Sequence, residues 1–193
     1  MEPTEYEFLA ENQTVEINPK FTHGVMTFIQ GDVGPFKAGR PMNVPLWQAV
    51  MLRQSDKCMI VTPEWMDLER LTECKEDERE SAVFTQLPAE NMFEISNILL
   101  DVTSESIKNS DKIRSTLRDI WDIRQSKLRK SVDALIQGEY LHAKINHLQS
   151  LELSAFRPIL PHAVDQLQRM KVCTEAAART ASVSLNTSSF SRT

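Results

Sequence analysis

The chain has 193 residues, of which 41% are hydrophobic and 25% are charged, and its net charge at pH 7 is −5. These values predict a folded soluble protein with one domain of ordinary size, or one helical domain with a small appendage. The negative charge argues against wholesale binding to DNA, and no run approaches the roughly 18 apolar residues of a membrane span. Because the N-terminus is acidic and unlike a signal peptide, we expect an intracellular protein that does not contact membranes.

The N-terminal part of the chain predicts a small β-rich unit. Residues 1–10 are compatible with either a short helix or a strand. Alternating side chains predict a strand over 14–17, and a second β-rich run follows at 25–29. Glycine and proline cluster at 31–36 and 39–41, which predicts a break and a turn.

Helical patterns begin towards the middle of the chain. A short helix over 44–54 and a strand over 58–61 are predicted to end the β-rich unit. Thr62 is predicted to cap the next helix, which is acidic and ends near Ser81. Apolar residues at heptad spacing then predict an amphipathic helix over 90–103.

The longest predicted helix runs from Ser110 to Leu148. At about 1.5 Å per residue it would be roughly 55–60 Å long, well beyond the roughly 30 Å width of a small domain. Its apolar residues fall on two faces. The first stripe consists of Ile113, Leu117, Ile120, Trp121, Leu128, Val132 and Leu135, and the second of Leu141, Ile145 and Leu148. We therefore expect this helix to contact another protein, through candidate interface residues that include Leu117, Trp121, Leu128, Leu141 and Ile145.

Arg124 lies in the middle of the first apolar stripe. A buried arginine needs carboxylate or carbonyl partners, because an unpaired buried charge costs several kcal/mol. Two interpretations are open. Arg124 forms a buried or interfacial ion pair, or its stem packs against apolar neighbours while its guanidinium reaches water.

Two neighbouring parts of the chain carry opposite charge. Acidic residues dominate the stretch 64–80, at Glu64, Asp67, Glu69, Glu73, Glu76, Asp77, Glu78 and Glu80. Basic residues dominate the stretch 108–130, at Lys108, Lys112, Arg114, Arg118, Arg124, Lys127, Arg129 and Lys130. Such runs usually form solvated helix faces, and the alternative is complementary contact within the chain or with partners.

The sequence predicts no catalytic, cofactor or metal site. It contains no Walker A motif, no glycine-rich dinucleotide fingerprint and no nucleophile elbow. The histidines lack metal-ligand spacing, and the dispersed cysteines Cys58, Cys74 and Cys173 are typical of reduced structural thiols. An enzyme that uses the carboxylates at 73–80 is disfavoured, because an exposed helix offers no apolar pocket to raise their pKa. We expect no small-molecule substrate.

Together these patterns predict an α+β protein that is mainly α-helical, with a small N-terminal β-rich domain and a helical domain built around one long helix. The pattern lapses after the long helix, and a last helix is predicted to begin near Pro161. The predicted domains are 1–61, which is β-rich, and 62–179, which is helical. Residues 180–193 are rich in serine and threonine and are predicted to form a disordered tail.

Four ordered segments carry a resemblance to a known family. They are EFLAENQTVEINPKF (7–21), GDVGPFKAGRPMNVPLW (31–47), KCMIVTPEWMDLERL (57–71) and IRSTLRDIWDIRQSKLRKS (113–131). In these segments the chain resembles the second Partner of Sld Five family of GINS complex subunits, which serve eukaryotic DNA replication. The resemblance extends more weakly to about residue 170, and nothing in the tail matches the family.

The resemblance implies a small β-rich domain followed by a helical domain, and no enzymatic activity. It implies a nuclear heterotetramer with three sister GINS subunits, which joins the minichromosome maintenance helicase and its activator protein in DNA replication. A competing interpretation is a nucleic-acid-binding helical protein that uses the basic stretch 108–130. That stretch lacks interleaved exposed aromatic residues, and Trp121 falls on the apolar stripe, so we expect any DNA contact to be weak or indirect.

Overall fold

The computed structural model describes residues 3–29, 31–136 and 146–157, and isolated positions from 161 to 173. The protein is mainly α-helical with a small N-terminal antiparallel sheet, which confirms the predicted fold class. In chain order the elements are α1 (Pro3–Ala10), β1 (Thr14–Pro19), β2 (Met26–Phe28), β3 (Gly31–Val33), β4 (Met42–Pro45), α2 (Leu46–Gln54), β5 (Cys58–Ile60), a 3₁₀ turn (Glu64–Met66), α3 (Leu68–Glu80), α4 (Met92–Thr103), α5 (Ser110–Ile136) and α6 (Ser150–Phe156).

The main sheet has the strand order β4-β1-β5, and both pairings are antiparallel. In β1 the buried residues Val15 and Ile17 alternate with the exposed residues Thr14 and Glu16, as the side-chain period of two requires. A separate two-stranded hairpin joins β2 to β3. The sheet therefore buries one face, against the helices that follow it.

One hydrophobic core links the sheet to α1, α2, α4 and the first half of α5. It includes Ile17 of β1, Leu46 of α2, Leu99 of α4 and Ile120 of α5, all nearly or fully buried. Helix α4 is buried around most of its circumference, which is typical of a central helix and not of a surface helix. The N-terminal strands and the helices thus share a single apolar interior.

The contacts divide the chain into two compact units. The first comprises Met1–Leu128 with Lys144–Ser154, and the second comprises Arg129–Ala143 with Ala155–Thr193. The sheet, the hydrophobic core and all the sites described below belong to the first unit. The part of the second unit that is described consists mainly of helical turns.

Three details of the N-terminal part differ from the sequence-based prediction. The segment 31–36 was predicted to be a break, but Gly31–Val33 forms β3, because the positive φ of Gly31 begins the return strand of the hairpin. Strand β4 was missed, since its last two residues, Val44 and Pro45, were assigned to the following helix. Thr62 does not cap a helix, because Glu64–Met66 forms a 3₁₀ turn and α3 begins only after Asp67.

The long helix was predicted to extend to Leu148. The described helix α5 ends at Ile136, and residues 137–145 lie outside the described part of the chain. Residues 146 and 147 form a turn, with His147 at a φ of 65°, so the helix has ended before Leu148. The short helix α6 was missed, because its seven residues show too little periodicity to be read. The last predicted helix lies mostly outside the described residues.

Candidate functional site: a buried ionic cluster and an open apolar groove

The guanidinium of Arg124 lies at the centre of a buried ionic cluster. Arg124 is fully buried on α5, and its Nε and Nη2 atoms donate to the two carboxylate oxygens of Glu152, at 2.6 and 2.9 Å. Its Nη1 atom donates to Glu78 Oε2 at 2.9 Å and to the backbone carbonyl of Thr85 at 3.1 Å. The Nη2 atom also donates to the backbone carbonyl of His147 at 2.7 Å. One side chain therefore joins α3, α6 and two loops to α5.

Lys127, one turn further along α5, is the second cation of the cluster. Its Nζ atom donates to Glu78 Oε1 at 2.7 Å and to the backbone carbonyl of Val83 at 3.3 Å. The other oxygen of Glu78 also accepts hydrogen bonds from the backbone N–H and the hydroxyl of Thr85. Burial raises the pKa of Glu78, but the hydrogen bonds from Lys127 and Thr85 and the charge of Arg124 outweigh it, so the pKa lies below its ordinary value.

Glu152 connects the cluster to the start of α6. It is fully buried, and its Oε2 atom accepts a hydrogen bond from the backbone N–H of Gln149 at 2.9 Å. Burial by itself lowers the pKa of Arg124, but Glu152 and Glu78 outweigh this effect and raise it, so the guanidinium stays protonated. Every carboxylate oxygen of Glu78 and Glu152 is hydrogen-bonded within the chain. The cluster therefore connects structural elements and is not suited to act as a general acid or base.

Glu94 is a buried carboxyl in a very different environment. It lies in the first turn of α4 with 5% of its surface exposed, and neither of its oxygens has a hydrogen-bond partner among the described residues. Burial raises the pKa of Glu94, and the charges of Glu152 and Glu7 raise it further, against a lowering effect of its own backbone amide. An unpaired buried polar group costs about 1–3 kcal/mol, so an ionised Glu94 should weaken the fold.

An open groove lies between α4, α5 and α6. It encloses about 280 Å³, and its apolar walls are Phe93 of α4, Leu117 and Trp121 of α5, and Leu151 of α6. Trp121 is half-buried and meets the ring of Phe93 edge-on, with 5.0 Å between the ring centroids. The indole is only partly covered, so part of its apolar surface stays exposed in the described part of the chain.

Polar side chains form the rim of this groove. Arg114 pairs with Asp101 at 2.9 Å, whereas Arg118 is exposed and forms no ion pair with any residue that the structure describes. Asn97 of α4 lies exposed on the opposite side. The groove therefore combines an apolar floor with one uncompensated positive charge.

The structure uses part of the basic stretch 108–130 inside the fold. Arg114 is engaged with Asp101, and Arg124 and Lys127 belong to the buried cluster. Charge also connects the acidic and basic runs on the outside, because Lys75 of α3 pairs with Asp119 of α5 at 3.3 Å. Arg124 and Lys127 are therefore unavailable to phosphates, so the stretch is a weaker nucleic-acid surface than its composition indicates.

Other features of the described residues do not add a site. No group of three or more His, Cys, Asp or Glu side chains among them could hold a metal ion. Burial raises the pKa of the Cys58 and Cys74 thiols, which disfavours the reactive thiolate form. Within the same residues, no helix combines the length and apolar character needed to cross a membrane.

The residues singled out in the sequence fall in three places. Arg124 is at the centre of the buried cluster. Leu117 and Trp121 line the groove, and Leu128 is buried one turn beyond Arg124. Leu141 and Ile145 lie outside the described residues, and so does any surface they form.

The carboxylates of the cluster were missed by the sequence analysis. The acidic run was expected to lie on an exposed helix, but Glu78 is fully buried. A signal for this was present, because Leu71, Cys74 and Glu78 follow at helical steps and share one face of α3. Glu152 gave no such signal, since nothing in its local sequence distinguishes it from a solvated glutamate.

Two family models match successive parts of the chain. The PSF2 N-terminal domain matches residues 2–61, and the GINS complex protein helical bundle domain matches residues 65–171. Three relatives are similar to most of the chain. A probable DNA replication complex GINS protein PSF2 of Drosophila melanogaster is 40% identical over 95% of this chain and 90% of its own length. The DNA replication complex GINS proteins PSF2 of Homo sapiens and Schizosaccharomyces pombe are 37% and 30% identical, over 89% and 87% of this chain and 92% and 90% of their own lengths.

Proposed function

The chain belongs to the PSF2 family of GINS proteins, and from this premise we propose that it is a non-catalytic scaffold subunit of a heterotetrameric GINS complex. Its direct partners in this proposal are the three sister subunits. The observation that carries the proposal is the order of the two family matches along the chain, 2–61 and then 65–171. The boundary between these matches also supports the division into a β-rich domain to residue 61 and a helical domain from residue 62.

The buried cluster supports a structural role over a catalytic one. Acid–base catalysis needs a titratable group that can reach a substrate, with a pKa near the working pH. In the cluster, Glu78 has a lowered pKa, and the guanidinium of Arg124 is bound on every side by protein atoms. These groups hold α3, α5 and α6 together, which is what a subunit that positions other proteins requires.

We extend the proposal to the role of the complex. The tetramer binds and activates the minichromosome maintenance helicase together with the activator protein of that helicase, in the initiation and elongation of DNA replication. The chain therefore acts in the nucleus. The names of the relatives support this extension, since each is called a protein of the DNA replication complex GINS.

The candidate interface consists of apolar residues of α5 and of the chain beyond it. Leu117 and Trp121 contribute through the groove, and Leu128 supports the same helix from its buried side. We assign Leu141 and Ile145 to this interface on the sequence pattern alone. The exposed apolar surface of Trp121 favours a protein partner, because contiguous apolar patches on a subunit normally mark contact sites.

The second candidate function is nucleic-acid binding through the basic stretch. It is disfavoured because Arg114, Arg124 and Lys127 are engaged within the fold. Any affinity for duplex DNA should be weak and should fall steeply with salt, since it depends on the remaining exposed cations.

A pull-down combined with a salt titration tests this proposal. The co-expressed tetramer is immobilised through this chain and offered the helicase hexamer and its activator protein. In a second measurement, the affinity of the tetramer for duplex DNA is determined between about 50 and 200 mM salt. Retention of the helicase with weak, salt-sensitive DNA binding supports the proposal. Tight DNA binding at physiological salt without helicase retention would favour the nucleic-acid function instead.

A further inference from the structure

We propose that the edge of the main sheet at which β1 ends is a binding site for the phosphate backbone of a nucleic acid. We call this site the basic edge and define it by Lys20, Lys37, Arg40 and Lys57. The proposal goes beyond the scaffold function, which requires no direct contact with DNA. It also assigns any weak affinity for DNA to a surface other than the basic stretch 108–130.

The strand order brings these cations to one edge of the sheet. Strand β1 is central, and β4 and β5 both run antiparallel to it, so the end of β1 lies beside the starts of β4 and β5. Lys20 directly follows β1, Lys57 directly precedes β5, and Arg40 lies two residues before β4. The backbone N–H of Lys20 donates to the carbonyl of Lys57 at 2.8 Å, which fixes these two residues side by side.

A turn over residues 37–40 positions the other two cations. The backbone N–H of Arg40 donates to the carbonyl of Lys37 at 3.1 Å, and the N–H of Gly39 donates to the carbonyl of Pro19 at 2.9 Å, so the turn is attached to the end of β1. Gly39 has a φ of 75°, in the left-handed region that favours glycine, and a Cβ at this position would meet no atom within 4 Å. The backbone between the two cations is therefore open to the approach of a phosphate strand.

The positive charge of the basic edge is only partly balanced within the chain. All four cations are exposed. Lys20 pairs with Asp56 at 2.6 Å, whereas Lys37, Arg40 and Lys57 form no ion pair with any residue that the structure describes. Although the net charge of the chain is −5, this edge therefore carries a local positive potential that attracts anions.

Carboxylates limit the size of the site on one side. Asp101 and Glu105 line a cavity together with Arg53 and Asp56, so an acidic border begins beyond Asp56. We therefore expect the basic edge to contact only about three or four phosphates, which makes the binding weak and sensitive to salt.

The surface around the cations favours phosphates over an acidic segment of a protein. The exposed residues adjacent to the cations in sequence include no large apolar side chain and are Ala38, Gly39, Pro41 and Asp56. Protein interfaces depend on buried aromatic or aliphatic anchors, whereas phosphate contacts need only suitably spaced cations and do not read the base sequence. Duplex and single-stranded nucleic acids share this phosphate chemistry, so both are candidate ligands.

Salt titrations of the co-expressed tetramer test the proposal. The affinities for a duplex and for a single strand of the same length are measured between about 50 and 200 mM salt, with and without the combined substitutions Lys37→Ala, Arg40→Ala and Lys57→Ala. Each lost phosphate contact lowers the slope of log affinity against log salt by about 0.9 for a duplex and about 0.7 for a single strand. The triple variant should therefore lower the slope by about 2–3 and the affinity at about 50 mM salt by about tenfold or more.

The matched control removes three exposed cations from the basic stretch 108–130. It combines Lys108→Ala, Lys112→Ala and Lys130→Ala, and it should change the slope by less than about 0.5, because charges away from the site are screened by salt. Both triple variants should assemble into the tetramer and melt within about 2 °C of the unmodified complex, since isolated surface charges contribute little to stability.

The remaining outcomes separate this proposal from its alternatives. A loss confined to the duplex or to the single strand supports the proposal and identifies the preferred backbone. Equal slopes for the unmodified complex and the Lys37, Arg40 and Lys57 variant would contradict it, as would no measurable DNA affinity at low salt. If that variant loses the helicase while its DNA binding is unchanged, the basic edge is a protein contact and the proposal is wrong. The scaffold function stands in each of these cases, because assembly and helicase retention are measured separately.

Discussion

The buried cluster and the groove show two opposite uses of arginine on one helix. Arg124 and Arg118 lie six residues apart on α5, which at about 100° per residue places them on different faces. Arg124 donates all its hydrogen bonds to groups of its own chain, and its charge is balanced inside the protein. Arg118 lies beside an incompletely covered apolar floor and has no ion-pair partner among the described residues.

The difference shows how one helix can serve folding and assembly at once. The cluster secures the loop that contains Thr85 and the turn at His147, so it fixes the geometry of α3, α5 and α6. The groove is formed partly by α5 and α6, so it depends on that geometry without sharing a charged residue with the cluster. Substitutions on the two faces should therefore separate stability from partner binding.

The largest expected effect is that of Arg124→Ala. The change leaves Glu78 and Glu152 buried with one cation between them, and removal of one member of a buried ion pair costs about 3–5 kcal/mol. The melting temperature of the co-expressed complex should fall by roughly 6–20 °C, at about 2–4 °C per kcal/mol for a chain of this size.

Arg118→Ala is the matched control for this experiment, since it removes the same side chain from an exposed position of the same helix. It should lower the melting temperature far less than Arg124→Ala does, because an exposed charge contributes at most about 1 kcal/mol. An effect of Arg124→Ala below about 0.5 kcal/mol would remove the distinction between the two arginines.

Trp121→Ala should mainly weaken binding to the partner. A half-buried tryptophan at the centre of an interface contributes about 2 kcal/mol or more, which corresponds to roughly a thirtyfold loss of affinity. Subunit exchange measured by fluorescence would detect this loss as faster dissociation.

The control for Trp121 is Trp47→Ala. Trp47 is also half-buried and also meets a phenylalanine edge-on, with its centroid 5.4 Å from that of Phe28. It lies outside the groove, so its loss should lower stability through packing with less effect on dissociation. Equal dissociation rates for the two variants would show that the groove has no special part in assembly.

Glu94→Gln should stabilise the protein, and the gain should depend on pH. The pKa of Glu94 is raised in the folded state, so the folded chain holds this proton more tightly than the unfolded chain does. The free energy of unfolding of the wild type therefore falls as the pH rises from the pKa of Glu94 in the unfolded chain, about 4.3, through its higher pKa in the folded chain. Glutamine stays neutral and avoids this loss.

Thermal melting at two pH values measures this effect. We expect Glu94→Gln to gain about 1 kcal/mol, or roughly 2–4 °C, at pH above the folded pKa, and little near the unfolded pKa. Glu80→Gln, an exposed change on α3, is the control and should show no such dependence. A gain that is the same at both pH values would mean that Glu94 does not titrate as its burial implies.

The smallest expected effect concerns the C-terminal tail, which should contribute neither to the buried cluster nor to the groove. Residues 180–193 were predicted from composition to form a disordered tail with little apolar surface. Their deletion should leave the yield and the melting temperature of the complex unchanged. A fall of several degrees, which corresponds to about 1–2 kcal/mol, would show that the tail docks.

The sequence allowed much of the fold to be predicted, because most elements carry a strong local pattern. The period of two in β1 and the apolar spacing of α4 were sufficient to place both elements within about two residues. Strand β3 and helix α6 were missed, because three residues and seven residues are too short for a period to appear. The end of α5 was misjudged, because helical periodicity continues through a stretch that is followed by the turn at His147.

The site was harder to predict than the fold, because its partners are distant in sequence. Arg124 was noticeable as a charge on an apolar stripe, but Glu78 and Glu152 lie 46 and 28 residues away. Their burial depends on tertiary packing, which local composition does not record. Trp121 was correctly placed on the apolar stripe of α5, but its partial exposure follows only from the positions of Phe93 and Leu151.

The measurement that tests the central claim most directly is the molar mass of the purified assembly. We expect the chain alone to be poorly soluble, because the apolar surface at the groove lacks its partner. Co-expressed with its three sister subunits, it should elute as a 1:1:1:1 complex whose mass by light scattering equals the sum of the four chains. The complex should persist at about 0.5 M salt, since a largely apolar interface is little affected by screening. A stable, well-dispersed monomer that ignores the sister subunits and binds duplex DNA tightly at physiological salt would contradict the scaffold function.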